Sequence, residues 1–596
     1  MKASDYIIQF LAKNGVHHLF QVIGGAITHL VDSTIDCENV CCVTMHHEQA
    51  AAFAAEGYAR CNGKLGVAMA TSGPGATNLI TGIGSCFFDS VPSLFITGQV
   101  NTYEYKFDRP IRQVGFQETD IVSIIKPITK GAKLVTRAAD LPNALKWAVE
   151  LAKSGRPGPV LLDIPMDIQR AEIADSPLLF PIPQISAPPE IAQHLIEEIA
   201  LRLCMAKRPV ILAGGGIRQA DAVNELSQLI EATQIPITAS LLGLDACPHT
   251  HPAYAGMIGS YGNRYGNLTI ANADFLIVIG SRLDTRQTGT RPDTFARGAV
   301  IVHVDIDEHE LNRAVKTDYP IHGCAKDFLT RLLVALNGQP PLQIDSWLCH
   351  IAQLKKEFPS FPLDDSDQID ANEFMFQLSQ HAADDALIVL DVGQHQMWAA
   401  QSFMIKPKQR MLISGGMGAM GFALPAAIGA AFAEPHREII VITGDGGLQM
   451  NIQEFQTIVR NHLPIKIILM NNQSLGMVRQ FQHIYFNGRL EATVNGYDCP
   501  DFIKVSHAYG ISAATISRRH ESEEALRHCL SQKGTPFLLE VLLQQCSRVE
   551  PKLRVNHPIE DQDPKISRER LETFMLIPLC DLQEIKSSLS ASKPQD

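Results

Sequence analysis

Short runs of Val, Ile, Leu and other apolar residues recur along the chain, and amphipathic helical patterns separate them. Nine of these runs predict buried strands, three in each third of the sequence. They cover 65–73, 93–99, 159–165, 208–216, 274–280, 299–307, 386–393, 438–446 and 464–472. Continuous apolar strands that alternate with helices are typical of parallel sheets covered on both faces. The pattern therefore predicts an α/β protein with three doubly wound domains.

Two proline-rich stretches, 171–190 and 338–367, interrupt this pattern, and the second encloses one short amphipathic helix. We interpret them as linkers. The predicted domains, with a C-terminal tail, are therefore 1–170, 190–337, 368–545 and 546–596. The tail is polar and has no periodicity, so we expect it to lie over the surface or over a site, with a disordered end.

Two segments bear on membrane targeting. Residues 1–15 predict an amphipathic helix rather than a signal peptide, because Asp5 interrupts the short apolar stretch. Gly415–Ala433 has no charged residue over 19 positions, but it is rich in Gly and Ala and contains Pro425. We interpret it as buried backbone of a globular domain and predict no membrane span.

Composition narrows the classes of function. The 596 residues include 51 Lys and Arg against 63 Asp and Glu, a formal net charge of −12 without a long basic run, which disfavours nucleic-acid binding. The 13 cysteines are scattered and form no Cys-x-x-Cys pair. A chain of this size needs no disulfides, so we expect free thiols in a reducing compartment, the cytoplasm.

Two polar signals follow neighbouring apolar runs in the third block. Asp445 lies in a Gly-Asp-Gly triplet at the end of one run, and Asn472 ends the next. A helical pattern over Asn451–His462 connects the two runs and predicts a right-handed βαβ unit. The carboxyl ends of parallel strands meet at one sheet edge, where ligands bind in such folds. We therefore expect the two side chains to lie close together.

Carboxylate, amide and carbonyl oxygens are the ligands that Mg²⁺ prefers, and the ion often keeps phosphate oxygens as well. Asp445, Asn472 and a backbone carbonyl in the turn at Ser474 are predicted to hold it. Glycines beside the aspartate would let a diphosphate approach the backbone; they are Gly444, Gly446 and Gly447. The alternative is a plain turn and a strand cap. Gly-Asp-Gly followed by Asn-Asn after 24 residues resembles the signature of thiamine diphosphate enzymes.

That resemblance implies a lone glutamate in apolar surroundings elsewhere in the chain. Glu48 opens the helical pattern EQAAAFAA, and desolvation there should raise the pKa of its carboxyl group. The family role would be a hydrogen bond to N1′ of the cofactor's aminopyrimidine. The alternative is an exposed glutamate stabilised by the helix dipole.

The glycine-rich stretch 414–430 contains a GxGxxG match at Gly416–Gly421, which is weak evidence for dinucleotide binding by itself. It resembles instead the family segment in which an apolar side chain, here Met420, supports the bent cofactor; a plain core methionine is the alternative. The resemblance also places Gly418 and Met477 in the cofactor site.

The resemblance extends over about residues 1–545 and is closest to the acetolactate (acetohydroxyacid) synthase large-subunit family. The matching motifs include GGAI (24–27), TSGPGATN (71–78), GFQETD (115–120), DVGQHQMWAAQ (391–401) and NNQSLGMV (471–478). It implies that Gly25 approaches the thiazolium and that Phe116 and Gln117 line the substrate channel. It places Gln394 and His395 near the cofactor phosphates.

The central domain resembles the family's FAD site, and the implied FAD is structural rather than redox-active. The implied FAD residues are Arg156, Gly214, Gly215, Gly216, Arg282, Arg286 and Asp305. Glycines admit a pyrophosphate and arginines pair with it. A nucleotide-type fold that packs without a ligand is the alternative.

The sequence departs from the family pattern on the acceptor side, where Met166, Phe481 and Thr285 replace the family's Lys, Trp and Asp. The segment 259–267 and the tail at 558–564 look more like a subgroup that uses other carbonyl acceptors. The implied reaction is decarboxylation of pyruvate and transfer of the two-carbon unit to a second pyruvate, giving 2-acetolactate. A nucleotide-linked keto sugar as acceptor, or a decarboxylase without ligation, remain alternatives.

Glu48 and Asp445 are almost 400 residues apart. The resemblance implies that the first domain of one chain faces the third domain of its neighbour, so we expect an obligate homodimer or a homotetramer. A regulatory partner subunit is left open.

Overall fold

The computed structural model describes residues 1–173, 190–361 and 366–580. Three six-stranded sheets occur in the three predicted regions. All nine predicted strands form, and together with nine further ones they make up the sheets. The three-domain α/β prediction is thus confirmed. The domain boundaries stay predictions, and most of the first proline-rich stretch lies outside the described residues.

The first sheet has the order β2-β1-β3-β4-β6-β5, and all its strand pairs are parallel. Its strands are β1 His18–Val22, β2 Cys41–Thr44, β3 Gly66–Ala70, β4 Ser93–Gln99, β5 Gly131–Leu134 and β6 Pro159–Pro165. The helices of this region are α1 Ala3–Lys13, α2 Thr28–Asp32, α3 Glu48–Asn62, α4 Pro74–Asn78, α5 Ile80–Phe88, α6 Ile121–Ile125, α7 Leu141–Lys153 and α8 Met166–Arg170. The predicted N-terminal amphipathic helix is α1.

The central sheet has the order β12-β11-β10-β7-β8-β9, which is the strand order of dinucleotide-binding folds. Its parallel strands are β7 Pro209–Ala213, β8 Ile237–Ala239, β9 Tyr254–Met257, β10 Phe275–Ile279, β11 Val300–Asp305 and β12 Tyr319–His322. The helices of this region are α9 Gln193–Met205, α10 Gly216–Gln219, α11 Val223–Thr233, α12 Arg264–Asn272, α13 Thr285–Thr288, α14 Ala325–Leu336 and α15 Asp345–Glu357.

The third sheet has the order β14-β13-β15-β16-β18-β17 and so repeats the topology of the first. Its strands are β13 Leu387–Leu390, β14 Arg410–Ile413, β15 Ile439–Gly444, β16 Lys466–Asn471, β17 Ser512–Ile516 and β18 Phe537–Leu542. Its helices are α16 Ala371–His381, α17 Gln394–Ser402, α18 Ala423–Ala433, α19 Asp445–Met450, α20 Phe455–Arg460, α21 Gly476–Tyr485, α22 Phe502–Ala508 and α23 Ser522–Ser531.

The described chain forms two compact units. The first contains the first and third sheets (1–173, 385–396 and 411–545), and the second contains the central sheet and the tail. In the first unit α3 packs closely on α18: a Cβ on Gly57 would lie 2.1 Å from the carbonyl oxygen of Ala426, and a Cβ on Gly429 would lie 1.9 Å from that of Ala54. Small residues on both helices permit this approach. The uncharged stretch 415–433 therefore contributes to a buried helix pair.

The tail is more ordered than its polar composition predicts. It forms the short antiparallel pair β19 Lys552–Leu553 and β20 Gln562–Asp563, followed by α24 Arg568–Glu572. Leu553 and Ile559 are buried, because within the second unit the tail packs against the central domain. The last segment, 581–596, lies outside the described residues.

Candidate active site

Asp445 lies at the carboxyl edge of the third sheet, where ligands bind in parallel α/β folds. β15 and β16 are parallel neighbours with Gly444 opposite Met470, so Asp445 and Asn472 both follow the carboxyl ends of adjacent strands. Asp445 is buried and accepts a hydrogen bond from the Tyr497 hydroxyl at 2.9 Å. Burial raises the pKa of Asp445 to about 6, although the Tyr497 hydroxyl and backbone N–H groups, including that of Ser474, act in the opposite direction.

The connection between these strands differs from the prediction of one helix over Asn451–His462. Helix α19 already begins at Asp445, and the chain leaves helical geometry at Asn451 before α20 begins at Phe455. The Asn451 side chain donates to the carbonyl oxygen of Gly421 at 2.9 Å, which ties the break to the glycine-rich loop. The crossover therefore consists of two short α-helices with a 3₁₀ turn, Ile452–Glu454, between them.

Asn472 is held by its own turn and by α17. Its amide oxygen accepts from the backbone N–H of Ser474 at 3.2 Å, and its Nδ2 donates to Gln394 Oε1 at 2.9 Å. An amide oxygen, one carboxylate and the carbonyl of Ser474 are hard donors of the kind that suits Mg²⁺. In the described part of the chain, His, Cys, Asp and Glu side chains form no group of three that could hold a metal, but the predicted magnesium set needs only one carboxylate.

His395 supplies a buried ring nitrogen. Its ring is 5% exposed, and Nε2 has no hydrogen-bond partner among the described residues. Burial lowers the pKa of His395 to about 3, so the ring is neutral near pH 7. A neutral imidazole nitrogen in this position is available to a polar group of a ligand.

The three glycines around Asp445 serve packing rather than leaving open space. A Cβ would lie 2.9 Å from His395 Nδ1 at Gly444, 2.6 Å from Leu475 Cδ2 at Gly446 and 3.1 Å from Asp391 at Gly447. The Cβ directions of these glycines are therefore filled by neighbouring side chains, and the approach of a diphosphate to their backbone stays a prediction. A Cβ would meet no atom within 4 Å at Gly25 and Gly418.

The loop that carries Met420 is fixed by hydrogen bonds to its backbone. Asp391, buried at the end of β13, accepts from the N–H groups of Gly421 at 2.9 Å and Ala423 at 3.4 Å. Met420 is half-buried, and its Cε lies 3.3 Å from where a Cβ on Gly446 would be. The side chain thus lies next to the Gly-Asp-Gly turn. Met477 is half-buried in the first turn of α21.

Glu48 is the first residue of α3, as predicted, and it is half-buried. Its carboxylate accepts from Asn78 Nδ2 at 2.9 Å and lies 3.3 Å from where a Cβ on Gly75 would be. The TSGPGATN motif thus forms one wall around the carboxylate, and the apolar first turns of α3 continue behind it.

The predicted channel residues lie on the loop after β4. Gln117 has φ of +64°, which is rare for a residue with a side chain, and its Cβ is 3.0 Å from where a Cβ on Gly73 would lie. Phe116 beside it is 85% exposed. Glu118 closes the loop by accepting from the backbone N–H groups of Lys106 at 2.7 Å and Val114 at 2.6 Å.

The predicted flavin residues of the central sheet follow the carboxyl ends of β7, β10 and β11. Arg282 pairs with Asp284 at 3.3 Å, Arg286 is exposed, and Asp305 is buried at the end of β11. A Cβ on Gly214 would lie 2.0 Å from the carbonyl oxygen of Gly280, and one on Gly216 would lie 2.6 Å from its Cα. These two glycines therefore allow two loops to pack closely. A Cβ on Gly215 would lie 3.1 Å from the Leu242 side chain. Arg156, in the first unit, donates to Ser90 Oγ at 2.8 Å.

Three family models match the chain in sequence order. They describe the N-terminal TPP binding domain (residues 1–124), the central domain (196–332) and the C-terminal TPP binding domain (391–541) of thiamine pyrophosphate enzymes. Thiamine pyrophosphate is another name for thiamine diphosphate. The chain belongs to the thiamine pyrophosphate enzyme family.

Within this family the chain is similar to acetolactate synthase large subunits, so the predicted resemblance is confirmed. The isozyme 2 large subunit of Escherichia coli is 39% identical over 553 residues, 92% of this chain and 97% of the relative. The large subunit of Lactococcus lactis is 38% identical over 552 residues, 92% and 94% of the two chains. A probable large subunit of Methanocaldococcus jannaschii is 38% identical over 595 residues, 97% and 98% of the two chains.

Several site residues of this thiamine pyrophosphate enzyme are not among those predicted from the sequence. Asp391 follows a buried apolar strand just as Asp445 does, so the same signal could have identified it. Tyr497 lies in a stretch without periodicity, and nothing in the sequence connects it with Asp445. Gln480 contacts Gln394 from α21, again without a sequence signal. Among the described residues, no helix is both long and apolar enough to cross a membrane.

Proposed function

We propose that this thiamine diphosphate enzyme is a Mg²⁺-dependent carboligase that decarboxylates pyruvate and transfers the acetaldehyde-equivalent unit to a second pyruvate, giving 2-acetolactate. The observation that carries the proposal is the placement of Asp445 and Asn472 at adjacent strand ends. They lie in a chain 39% identical to a named acetolactate synthase large subunit. Glu48 at the start of an apolar helix supplies the third element.

The residues present suit the cofactor and its ion. His395 Nε2 is a buried nitrogen that lacks a partner among the described residues, so it is available to a polar group of the cofactor. Asp445 and Asn472 offer a carboxylate and an amide oxygen, and the Ser474 carbonyl completes a set of hard donors for Mg²⁺. Gly25 and Gly418 leave space where other residues would place a side chain.

Each residue would then have a distinct task. When bound, thiamine diphosphate supplies a nucleophilic carbon and an electron sink for loss of CO₂ from a 2-keto acid. Glu48 would hold the proton at N1′ of the aminopyrimidine, which is acid–base work for a positioned carboxyl group. Met420 would support the ring system from below. Phe116 and Gln117 would line the entrance for substrate and help to keep the site dry.

A structural FAD in the central domain is part of the proposal. The central sheet has the strand order of dinucleotide-binding folds, and its residues Arg282, Arg286 and Asp305 follow strand ends on the ligand-binding edge. Arginine suits a pyrophosphate. Release of a yellow chromophore on denaturation of the purified protein would test this; a colourless protein that binds no added FAD would contradict it.

We also propose a homodimer, alone or paired into a tetramer, in the cytoplasm. Large apolar side chains are exposed on the loop after β4 and on α21; they are Tyr103, Phe107, Ile111, Val114, Phe116, Val478, Phe481, Ile484, Tyr485 and Phe486. Exposed apolar surface of this extent indicates an interface, and a second copy would cover it. All 13 cysteines lie in the described part of the chain and none forms a disulfide there, which favours a reducing compartment. Several relatives are named large subunits, so the assembly could also include a second, smaller kind of subunit.

A nucleotide-linked keto sugar is the second candidate acceptor, because the segment 259–267 and the tail at 558–564 look more like a subgroup that uses such acceptors. The segment 259–267 and the tail, which both depart from the family pattern, contact each other in the second unit. Ser260 accepts from the backbone N–H of Leu553 at 2.7 Å, and the Gly262 carbonyl accepts from Gln562 at 3.1 Å. Two departures that pack together form one feature of this chain rather than two unrelated changes.

The test separates these acceptors. Purified protein with thiamine diphosphate, Mg²⁺ and pyruvate is assayed for CO₂ and for the carbon product, alone and with a nucleotide-linked keto sugar. We expect rapid CO₂ release and 2-acetolactate from pyruvate alone. CO₂ release that requires the keto sugar would favour the second acceptor, and free acetaldehyde as the product would indicate a decarboxylase.

A further inference from the structure

Three side-chain amides form a buried line from helix α21 to the proposed metal ligand. Gln480 and Gln394 are each 3% exposed, and Asn472 is 5% exposed. Gln394 Nε2 donates to Gln480 Oε1 at 3.1 Å, and Asn472 Nδ2 donates to Gln394 Oε1 at 2.9 Å. Gln394 and Asn472 thus each use the amide oxygen on one side and the amide nitrogen on the other.

The orientation of the three amides is fixed by the backbone N–H of Ser474 at one end of the line. The backbone N–H of Ser474 can only donate, and it donates to Asn472 Oδ1 at 3.2 Å. Asn472 Nδ2 must then meet an acceptor, which is Gln394 Oε1, and Gln394 Nε2 must meet the next acceptor, which is Gln480 Oε1. Turning any one amide around would place two donors or two acceptors against each other in a buried site.

The chain leaves room for this arrangement at one glycine. A Cβ on Gly476 would lie 2.0 Å from Gln394 Oε1 and 2.7 Å from Asn472 Nδ2. The first residue of α21 must therefore lack a side chain for the Gln394–Asn472 hydrogen bond to form, and the same helix carries Gln480 one turn later.

We propose that Gln480 is a positioning residue for the divalent cation. By accepting from Gln394 it orients that amide, and through it the amide of Asn472, so that Asn472 Oδ1 faces the cation. This inference rests on the proposed metal site. Groups that orient metal ligands without touching the metal commonly change metal affinity 10- to 100-fold when they are removed.

The experiment compares three variants by Mn²⁺ binding in the presence of thiamine diphosphate, with free Mn²⁺ measured by electron paramagnetic resonance and no substrate present. Gln480→Met keeps the length of the side chain but removes the acceptor, whereas Gln480→Glu keeps an acceptor oxygen. Gln482→Met is the matched control, because Gln482 lies on the same helix and bonds to the carbonyl of Glu491 instead. Thermal midpoints without metal report on the fold of each variant.

We expect Mn²⁺ affinity to fall about 10- to 100-fold in Gln480→Met and to stay within about three-fold of the parent in Gln480→Glu and Gln482→Met. A Gln480→Met protein that binds Mn²⁺ like the parent, or an equal loss in the Met and Glu variants, would overturn the inference. If Gln480→Met does not fold, Gln480→Glu decides, and a ten-fold loss there contradicts the proposal. A parent protein that binds thiamine diphosphate but no Mn²⁺ would instead overturn the metal site itself.

Discussion

The guanidinium of Arg60 lies 2.7 Å from the carboxylate of Asp89, and both side chains are almost completely buried. The same guanidinium pairs with Glu56 at 2.6 Å and donates to the carbonyl of Ile413 at 2.8 Å. Asp89 in turn accepts from the backbone N–H groups of Gly415 at 2.9 Å and Gly416 at 2.7 Å. This buried cluster thus connects the first domain with the start of the loop that carries Met420.

Removing the shared cation should destabilise the protein strongly. Arg60→Met leaves two buried carboxylates without their partner, and breaking a buried ion pair in this way costs about 3–5 kcal/mol. The free energy of unfolding from urea titration measures the loss. Arg527→Met, which removes the exposed pair with Glu523, is the control and should cost less than about 1 kcal/mol. Equal, small losses in both variants would contradict the assignment.

The carboxyl group of Glu48 should be needed for turnover but not for the fold. Glu48→Gln keeps an oxygen that can accept from Asn78 but removes the titratable group, so CO₂ release from pyruvate should fall at least about 100-fold. The thermal midpoint and thiamine diphosphate binding should change little. Near-parental CO₂ release in a folded variant would eliminate the proposed proton transfer.

Buried Asp163 should make stability depend on pH. It accepts from Thr97 at 2.7 Å and Gln99 at 2.9 Å, and burial raises the pKa of its carboxyl group to about 7. The folded protein therefore holds this proton more tightly than the unfolded chain, whose aspartate pKa is about 3.9. The contribution of this group to the free energy of unfolding is full below about pH 4 and is lost as pH rises to about 7.

Asp163→Asn removes this dependence. The free energy of unfolding of the variant minus that of the parent should be about 2–3 kcal/mol larger at pH 8 than at pH 5. The reason is that each pH unit between about 5 and 7 costs the parent about 1.4 kcal/mol. Urea titrations of both proteins at the two pH values measure the difference. A stability difference that is the same at pH 5 and pH 8 would show that Asp163 does not titrate in this range.

Mixed dimers test whether each site takes residues from two chains. The dimer contains one Glu48→Gln chain and one Asp445→Asn chain and is purified with two different tags. If each site combines Glu48 of one chain with Asp445 of the other, this dimer has one site with both changes and one site with neither. We expect about half of the parental CO₂ release per dimer, whereas each mutant homodimer is inactive. An inactive mixed dimer would mean that Glu48 and Asp445 of the same chain serve the same site.

Much of the fold follows from the hydrophobic pattern, because every strand predicted from an uninterrupted apolar run forms. Most strands that escaped prediction are short or polar, such as Gly131–Leu134 at one edge of the first sheet. The exception is Phe537–Leu542, a six-residue, largely apolar strand that the prediction missed. The pattern also missed the helix that begins at Asp445, because two glycines give its first turn a low helix propensity. Its break at Asn451 depends on a hydrogen bond to Gly421, a contact between distant residues.

The site residues also differ in how far the sequence predicts them. Asp445, Asn472 and Glu48 lie at element ends, where sequence patterns are informative. Tyr497 reaches the site from a segment without periodicity, and the contact between Gln480 and Gln394 depends on the tertiary structure. The glycines of the Gly-Asp-Gly turn also make room for protein neighbours, because a Cβ on them would contact His395, Leu475 or Asp391. Local sequence does not show which neighbour fills a space.

The stoichiometry of pyruvate consumption to CO₂ release tests the proposed reaction most directly. Purified protein with thiamine diphosphate and Mg²⁺ is given pyruvate as the sole carbonyl compound, and pyruvate, CO₂ and products are quantified over one time course. We predict that two pyruvate molecules disappear for each CO₂ released and that 2-acetolactate accumulates in equal amount to CO₂. One pyruvate consumed per CO₂, or no consumption at all, would contradict the account.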